Sequence, residues 1–131
     1  MKMAKDKTLE QLFVLTKVND DIQAVWLYGS RARGAASENS DYDLAILFKE
    51  HINEPLTNRI RVEELSNNLS SQVNQEVNLI DISMAPLPLA MTVVTDNYLL
   101  LDKSAWLRMR CEQSIMSKWE LDYQYNKVRY A

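Results

Sequence analysis

Residues 29–47 read Gly29-Ser30-Arg31-Ala32-Arg33-Gly34, then Ala35-Ala36-Ser37-Glu38-Asn39-Ser40, then Asp41-Tyr42-Asp43-Leu44-Ala45-Ile46-Leu47. The first block follows Ile22 to Tyr28, a run rich in β-branched and aromatic residues, as in a buried strand. Glycine at the end of such a strand admits backbone conformations closed to other residues. The last block alternates. Tyr42, Leu44, Ile46 and Phe48 point one way, and Asp41, Asp43, Ala45 and Leu47 point the other. Asp41 and Asp43 thus leave one face of a second strand. Side by side they repel, and an apolar strand is a costly place for both unless a cation sits between them.

Outward from this stretch, the chain reads as alternating elements. A helix is expected over about Thr8 to Val18, with Thr8 and Gln11 as a capping box and Leu9, Leu12, Phe13, Leu15 and Val18 as its apolar positions. Asn53 and Pro55 open a second helix carrying Leu56, Ile60, Leu65, Leu69 and Val73. Val77 to Ile82 reads as a strand, with Val77, Leu79 and Asp81 on one face. Pro86 and Pro88 lead into a short apolar helix, and Tyr98 to Leu101 into a short strand. A long helical pattern runs from Ser104 to about Arg129, with Trp106, Met109, Ile115, Met116, Trp119 and Tyr123 as its apolar positions. Trp119 and Tyr123 are spaced as a core stripe. The expected fold is one α/β (α+β) domain over residues 1–131, a small mixed sheet flanked by helices.

Composition narrows the function. The 131 residues are 47% hydrophobic and 25% charged, with a net charge of -3, which speaks against a strongly basic nucleic-acid binder. One cysteine, Cys111, excludes an internal disulfide and a zinc cage of several thiolates. One histidine, His51, excludes sites built on several imidazoles. Two glycines, Gly29 and Gly34, are too few for a Rossmann fingerprint. Their spacing is that of a P-loop, but Ala35 and Ala36 stand where a P-loop needs Lys and Ser or Thr. The N-terminus lacks the apolar run of a signal peptide, and no stretch has the length of a membrane span. A cytoplasmic location is the default expectation.

The chemistry follows from the charges. Hard carboxylate oxygens suit Mg²⁺, with Mn²⁺ as a substitute. Asp81 lies in the apolar run Asn78-Leu79-Ile80-Asp81-Ile82-Ser83 and is expected to complete a two-ion site with Asp41 and Asp43. Paired ions about 4 Å apart are a common device for in-line attack on phosphorus. Gly29 would let the backbone approach a phosphate, Ser30 would hydrogen-bond it, and Arg31 and Arg33 would add charge-assisted donors. Alternate arginines on one helical turn cannot both face the same phosphate, so a surface role for at least one of them is the alternative reading.

Gly29-Ser30, a ten-residue gap and Asp41-Tyr42-Asp43 resemble the signature of nucleotidyltransferases with a DNA polymerase beta-type core. The wording of the motif resembles the minimal nucleotidyltransferases. The short chain and its C-terminal helix resemble the adenylyltransferase antitoxins of the MntA type. This resemblance implies transfer of AMP from ATP to a tyrosine of a cognate HEPN-family ribonuclease toxin, with Asp41, Asp43 and Asp81 as metal-binding catalytic residues. It also implies ATP held by Gly29, Ser30, Arg31 and Arg33. Residues 102–131 carry six Lys/Arg and four Asp/Glu, too weakly basic for an RNA-tailing enzyme, so no stable nucleic-acid binding is expected. A protein acceptor suits a chain with little room for an acceptor-pocket domain. Modification of a small molecule such as an antibiotic, and neutralisation by binding alone, are the alternatives.

Overall fold

The computed structural model describes residues 6–130, with side chains through Asn126. The elements are α1 (Lys7–Lys17), β1 (Ile22–Tyr28), β2 (Tyr42–Phe48), α2 (Pro55–Val73), β3 (Val77–Asp81), α3 (Leu87–Asp96), β4 (Tyr98–Asp102) and α4 (Ala105–Tyr130). The four strands form one mixed sheet in the order β3-β2-β1-β4. β1 pairs antiparallel with both β2 and β4, and β2 pairs parallel with β3 across the α2 crossover. The expected α/β architecture, with its mixed sheet and long C-terminal helix, is the one observed.

Local chemistry sets the boundaries. α1 starts at Lys7, one residue before the expected start, because the cap is Asp6, which accepts a hydrogen bond from the Leu9 amide at 3.0 Å. The same carboxylate accepts from the Tyr42 hydroxyl at 3.1 Å, tying the start of α1 to β2. Pro55, preset for the first helical turn, opens α2, while Glu54 caps it through the Thr57 amide. α2 and α3 both end on asparagines in the left-handed conformation, Asn74 and Asn97.

The sheet is covered on both faces. α1 and α2 lie over Val25, Leu27, Tyr42, Leu44, Ile46, Val77 and Leu79. α3 and the first half of α4 lie over Ala24, Trp26 and Ala45, where Val93 and Ile115 are buried. A bulge between Ile22 and Ala24 lets Ile22 join the first face and Ala24 the second.

α4 departs from expectation. Ile115 is buried, but Trp106, Met109, Met116, Trp119 and Tyr123 are all exposed, so Trp119 and Tyr123 do not form a core stripe. The reason is length. A 26-residue helix spans about 39 Å, whereas a seven-residue strand spans about 23 Å. From Met116 to Asn126 every side chain is exposed. Among the described residues no helix is long and apolar enough to cross a membrane.

Candidate active site

The turn after β1 is held by its own backbone. The Ala32 and Arg33 amides donate to the Gly29 carbonyl at 3.1 and 3.2 Å, and Ala35 donates to the Ser30 carbonyl at 2.9 Å. Gly29 sits at φ +81°, a conformation that favours glycine. A Cβ added there would fall 2.7 Å from Asp43 Oδ2. Backbone and carboxylate therefore touch, as the antiparallel pairing of Tyr28 with Asp43 requires.

Asp41 and Asp43 converge on one amide. Asn78 Nδ2 donates to Asp41 Oδ2 at 3.1 Å and to Asp43 Oδ1 at 3.3 Å. Parallel pairing places Asn78 directly beside Asp43. Asp41 is exposed and Asp43 half-buried, so the pair opens to solvent. Burial raises the Asp43 pKa, the Asn78 hydrogen bond opposes this, and the Asp41 charge adds to it. On the other flank, burial and then the Asp43 charge push the Tyr28 hydroxyl up to about 12. It is thus a neutral, hydroxyl-bearing wall of the site at physiological pH.

Asp81 is not brought to this pair. Its place in the register is opposite Ile46, three residues and about 10 Å along β3 from Asn78. That odd step puts it on the other face of the sheet, with Val77 and Leu79, beneath α2. There Asn58 Nδ2 donates to its Oδ2 at 3.1 Å, Ser83 donates to its Oδ1 from amide and hydroxyl at 3.0 and 2.7 Å, and Arg61 approaches within 3.7 Å. Its charge is compensated by protein donors, and the structure does not bring it to the Asp41/Asp43 pair it was expected to complete.

The two arginines are also engaged elsewhere. Arg31 donates to the Ser40 and Glu38 carbonyls and stacks on the Tyr42 ring, 3.9 Å from its centroid. It clamps the loop that delivers Asp41 rather than reaching for phosphate. Arg33 Nε pairs with Asp96 Oδ1 at 3.1 Å while its side chain remains 55% exposed. Asp96 Oδ2 also accepts from the Gly29 amide at 2.9 Å. Asn78, Tyr28 and Asp96 were not singled out from sequence. Asn78 alone had a signal there, since it alternates in phase with Asp43.

Two carboxylates and an amide fit a magnesium ion. Among the described residues no cluster of three or more His, Cys, Asp or Glu side chains could hold a metal by itself. Mg²⁺ ordinarily takes one or two carboxylates and completes its shell with water and substrate phosphates. Asp41 and Asp43, two like charges now bridged by one amide, are the donor set such an ion requires.

The polymerase beta nucleotidyltransferase model matches residues 10–105, and the chain belongs to that family. Protein adenylyltransferase MntA of Shewanella oneidensis is 32% identical over 74 residues, which cover 56% of this chain. The match spans half the length of that relative. A chain of a toxin–antitoxin complex with AMP-PNP superposes with a TM-score of 0.73 at 22% identity, covering 95% of this chain and 94% of that one. A chain from the complex of a tri-AMPylated Shewanella oneidensis HEPN toxin with an MNT antitoxin superposes with a TM-score of 0.71 at 20% identity, covering 93% and 92%. At these identities the two superpositions establish a shared fold.

Proposed function

We propose that this chain is a Mg²⁺-dependent adenylyltransferase antitoxin, transferring AMP from ATP to a tyrosine hydroxyl of a cognate HEPN-family ribonuclease toxin. The observation that carries this reading is the contact between the Gly29–Ser30 turn and the solvent-facing Asp41/Asp43 pair. A phosphate grip beside a cation site is the equipment for phosphoryl chemistry. The names of the relatives, an adenylyltransferase and chains from toxin–antitoxin complexes, support the choice of ATP and of a toxin as partner.

Asp41 and Asp43 would hold Mg²⁺, or Mn²⁺ in its place, and the ion would supply charge to balance the triphosphate. Without Asp81, the site offers two carboxylates rather than three. Ser30 would hydrogen-bond the phosphates from the turn, and Arg31 would act by holding the 31–40 loop so that Asp41 stays beside Asp43. In the transfer, the tyrosine oxygen bonds to the α-phosphorus, the bond from that phosphorus to the bridging oxygen breaks, and pyrophosphate leaves with both bonding electrons. The phenolic proton passes to water at the solvent-open side of the pair, since Asp81 lies on the far face of the sheet.

The exposure of Asp41 favours a macromolecular acceptor that brings its own surface. The C-terminal aromatics Tyr125 and Tyr130 lie on α4 and would lend such a partner an aromatic surface. Tyr125 is exposed, and the side chain of Tyr130 lies outside the described residues. The exposed Met109, Met116, Trp119 and Tyr123 are spaced by seven, three and four residues and so share one face of α4, as an antitoxin docking on its partner would need. The test is incubation of this chain with ATP, Mg²⁺ and the neighbouring gene's product, followed by intact mass. Addition of AMP by the wild type, and none by Asp41→Asn or Asp43→Asn, is the expected result. A small molecule labelled in place of the neighbour would favour the antibiotic-type alternative. Full neutralisation without any label would favour binding alone.

A further inference from the structure

We infer that Asp96, at the far end of α3, is a positioning residue that sets the phosphate-binding turn; this rests on the adenylyltransferase reading of the same site. Asp96 is 67 residues from Gly29 in sequence, yet its two carboxylate oxygens divide between the two parts of that turn. Oδ2 accepts from the Gly29 amide at 2.9 Å, and Oδ1 accepts from Arg33 Nε at 3.1 Å. The side chain is 8% exposed.

Nothing in α3 itself calls for this residue. Asp96 is the last residue of the helix, where the carbonyl end of the dipole disfavours negative charge, and the last turn carries no basic residue. Its compensation comes from the turn instead. A charged acceptor on a backbone amide is also among the stronger hydrogen bonds, so it can hold a conformation that would otherwise relax.

The effect on Gly29 is specific. Its amide is fixed by Asp96 from one side, and its α-carbon lies against Asp43 from the other, with no room for a Cβ. Its φ of +81° is therefore determined by two carboxylates on two different elements. Ser30 follows directly, so the direction in which its amide and hydroxyl face is inherited from Gly29. Since Asp96 consumes the Gly29 amide, the phosphate donor of the turn is Ser30. Small errors in such a grip misalign the α-phosphorus and lower turnover more than affinity.

Three variants of the full chain test this, assayed with Mg²⁺-ATP and the partner protein. Asp96→Ala should lower kcat about 10- to 100-fold with a smaller change in KM for ATP, and should speed hydrogen exchange of the Gly29 amide at least tenfold. Asp96→Asn retains an oxygen acceptor for that amide and should restore slow exchange and kcat to within about threefold of wild type. Asp96→Glu keeps the charge but displaces it by one methylene, and should lose kcat while remaining folded; it carries the test if the alanine variant does not fold. Wild-type kcat in folded Asp96→Ala or Asp96→Glu overturns the inference, as does unchanged Gly29 exchange in Asp96→Ala. A loss of melting temperature in Asp96→Ala with unchanged kcat shows a structural role alone and also overturns it. If the wild type itself transfers nothing from ATP, the adenylyltransferase reading fails; an active wild type with indifferent Asp96 variants sinks the positioning role alone.

Discussion

At Gly29 a single hydrogen stands between a backbone and a carboxylate. Gly29→Ala would force its Cβ to 2.7 Å from Asp43 Oδ2 and would strain a φ of +81°. We expect a loss of about 1–3 kcal/mol in urea unfolding and at least a hundredfold loss of transfer. Asp43→Asn should act in opposite directions on the two readouts. Burial and Asp41 raise the Asp43 pKa, so its charge opposes folding at neutral pH. The neutral variant should melt at a higher temperature at pH 7. That gain should fade as pH falls from the raised pKa toward 3.8, because the Asp43 carboxyl of the wild type is then protonated and as neutral as the asparagine. Transfer should be abolished throughout. An unchanged melting temperature at pH 7 would contradict the cost of holding this partly buried charge beside Asp41.

This residue-level site was partly legible. Gly29, Ser30, Asp41 and Asp43 are read from spacing and alternation because the contacts they make are between adjacent strands. Asp96 was invisible, since no local pattern links residues 67 apart whose contact depends on how α3 packs. Arg31 and Arg33 read from sequence as phosphate donors, with a surface role open for at least one, but charge does not reveal the Ser40 carbonyl, the Tyr42 ring or Asp96 as partners.

At the scale of elements, β3 and α2 share a polar network under an apolar face. Arg61 donates to Asn58 Oδ1 at 2.6 Å and to the Glu50 carbonyl at 2.8 Å, stacks on Phe48, and approaches Asp81 and Asp21. The Asp81 carboxylate is nearly inaccessible and Arg61 is mostly buried. Asp81→Ala should cost about 3–5 kcal/mol in chemical denaturation, because it strands a buried guanidinium and the Asn58 amide. Transfer per folded molecule should stay within a few-fold of wild type. Complete loss of transfer in a folded variant would return Asp81 to the catalytic centre. Alternation already held the clue: Asp81 is in phase with Val77 and Leu79, which face the core, and out of phase with Asn78. The presumption that an unpaired carboxylate in an apolar run needs a metal overlooked α2, which supplies donors from above. Element order and strand boundaries were read to within one or two residues, because strand alternation, prolines and polar breaks are local. The fate of α4 was not, because periodicity marks an apolar stripe without saying whether this chain or another covers it.

For the whole molecule, the outer half of α4 is the feature that folding alone does not explain. Met116, Trp119, Leu121 and Tyr123 remain exposed on a helix that outruns the sheet. Replacing Met109 and Tyr123 together by glutamate should leave the melting temperature within about 2 °C, since both side chains are more than half exposed. The same change should weaken the complex with the partner toxin at least tenfold by titration calorimetry. Unaltered affinity would place the docking surface elsewhere. Chelation of divalent ions should stop transfer without unfolding the chain, as circular dichroism in EDTA would show, because no described cluster makes a metal part of the fold.

The most direct measurement compares two labels. Wild-type protein and its partner toxin, with Mg²⁺, receive ATP carrying radioactive phosphorus at either the α or the γ position. Adenylyl transfer across the Gly29–Asp43 site predicts label on a toxin tyrosine from the α position, none from the γ position, and none from either with Asp41→Asn/Asp43→Asn. Label from the γ position, or toxin neutralised by wild type and double variant alike with no label on it, would contradict it.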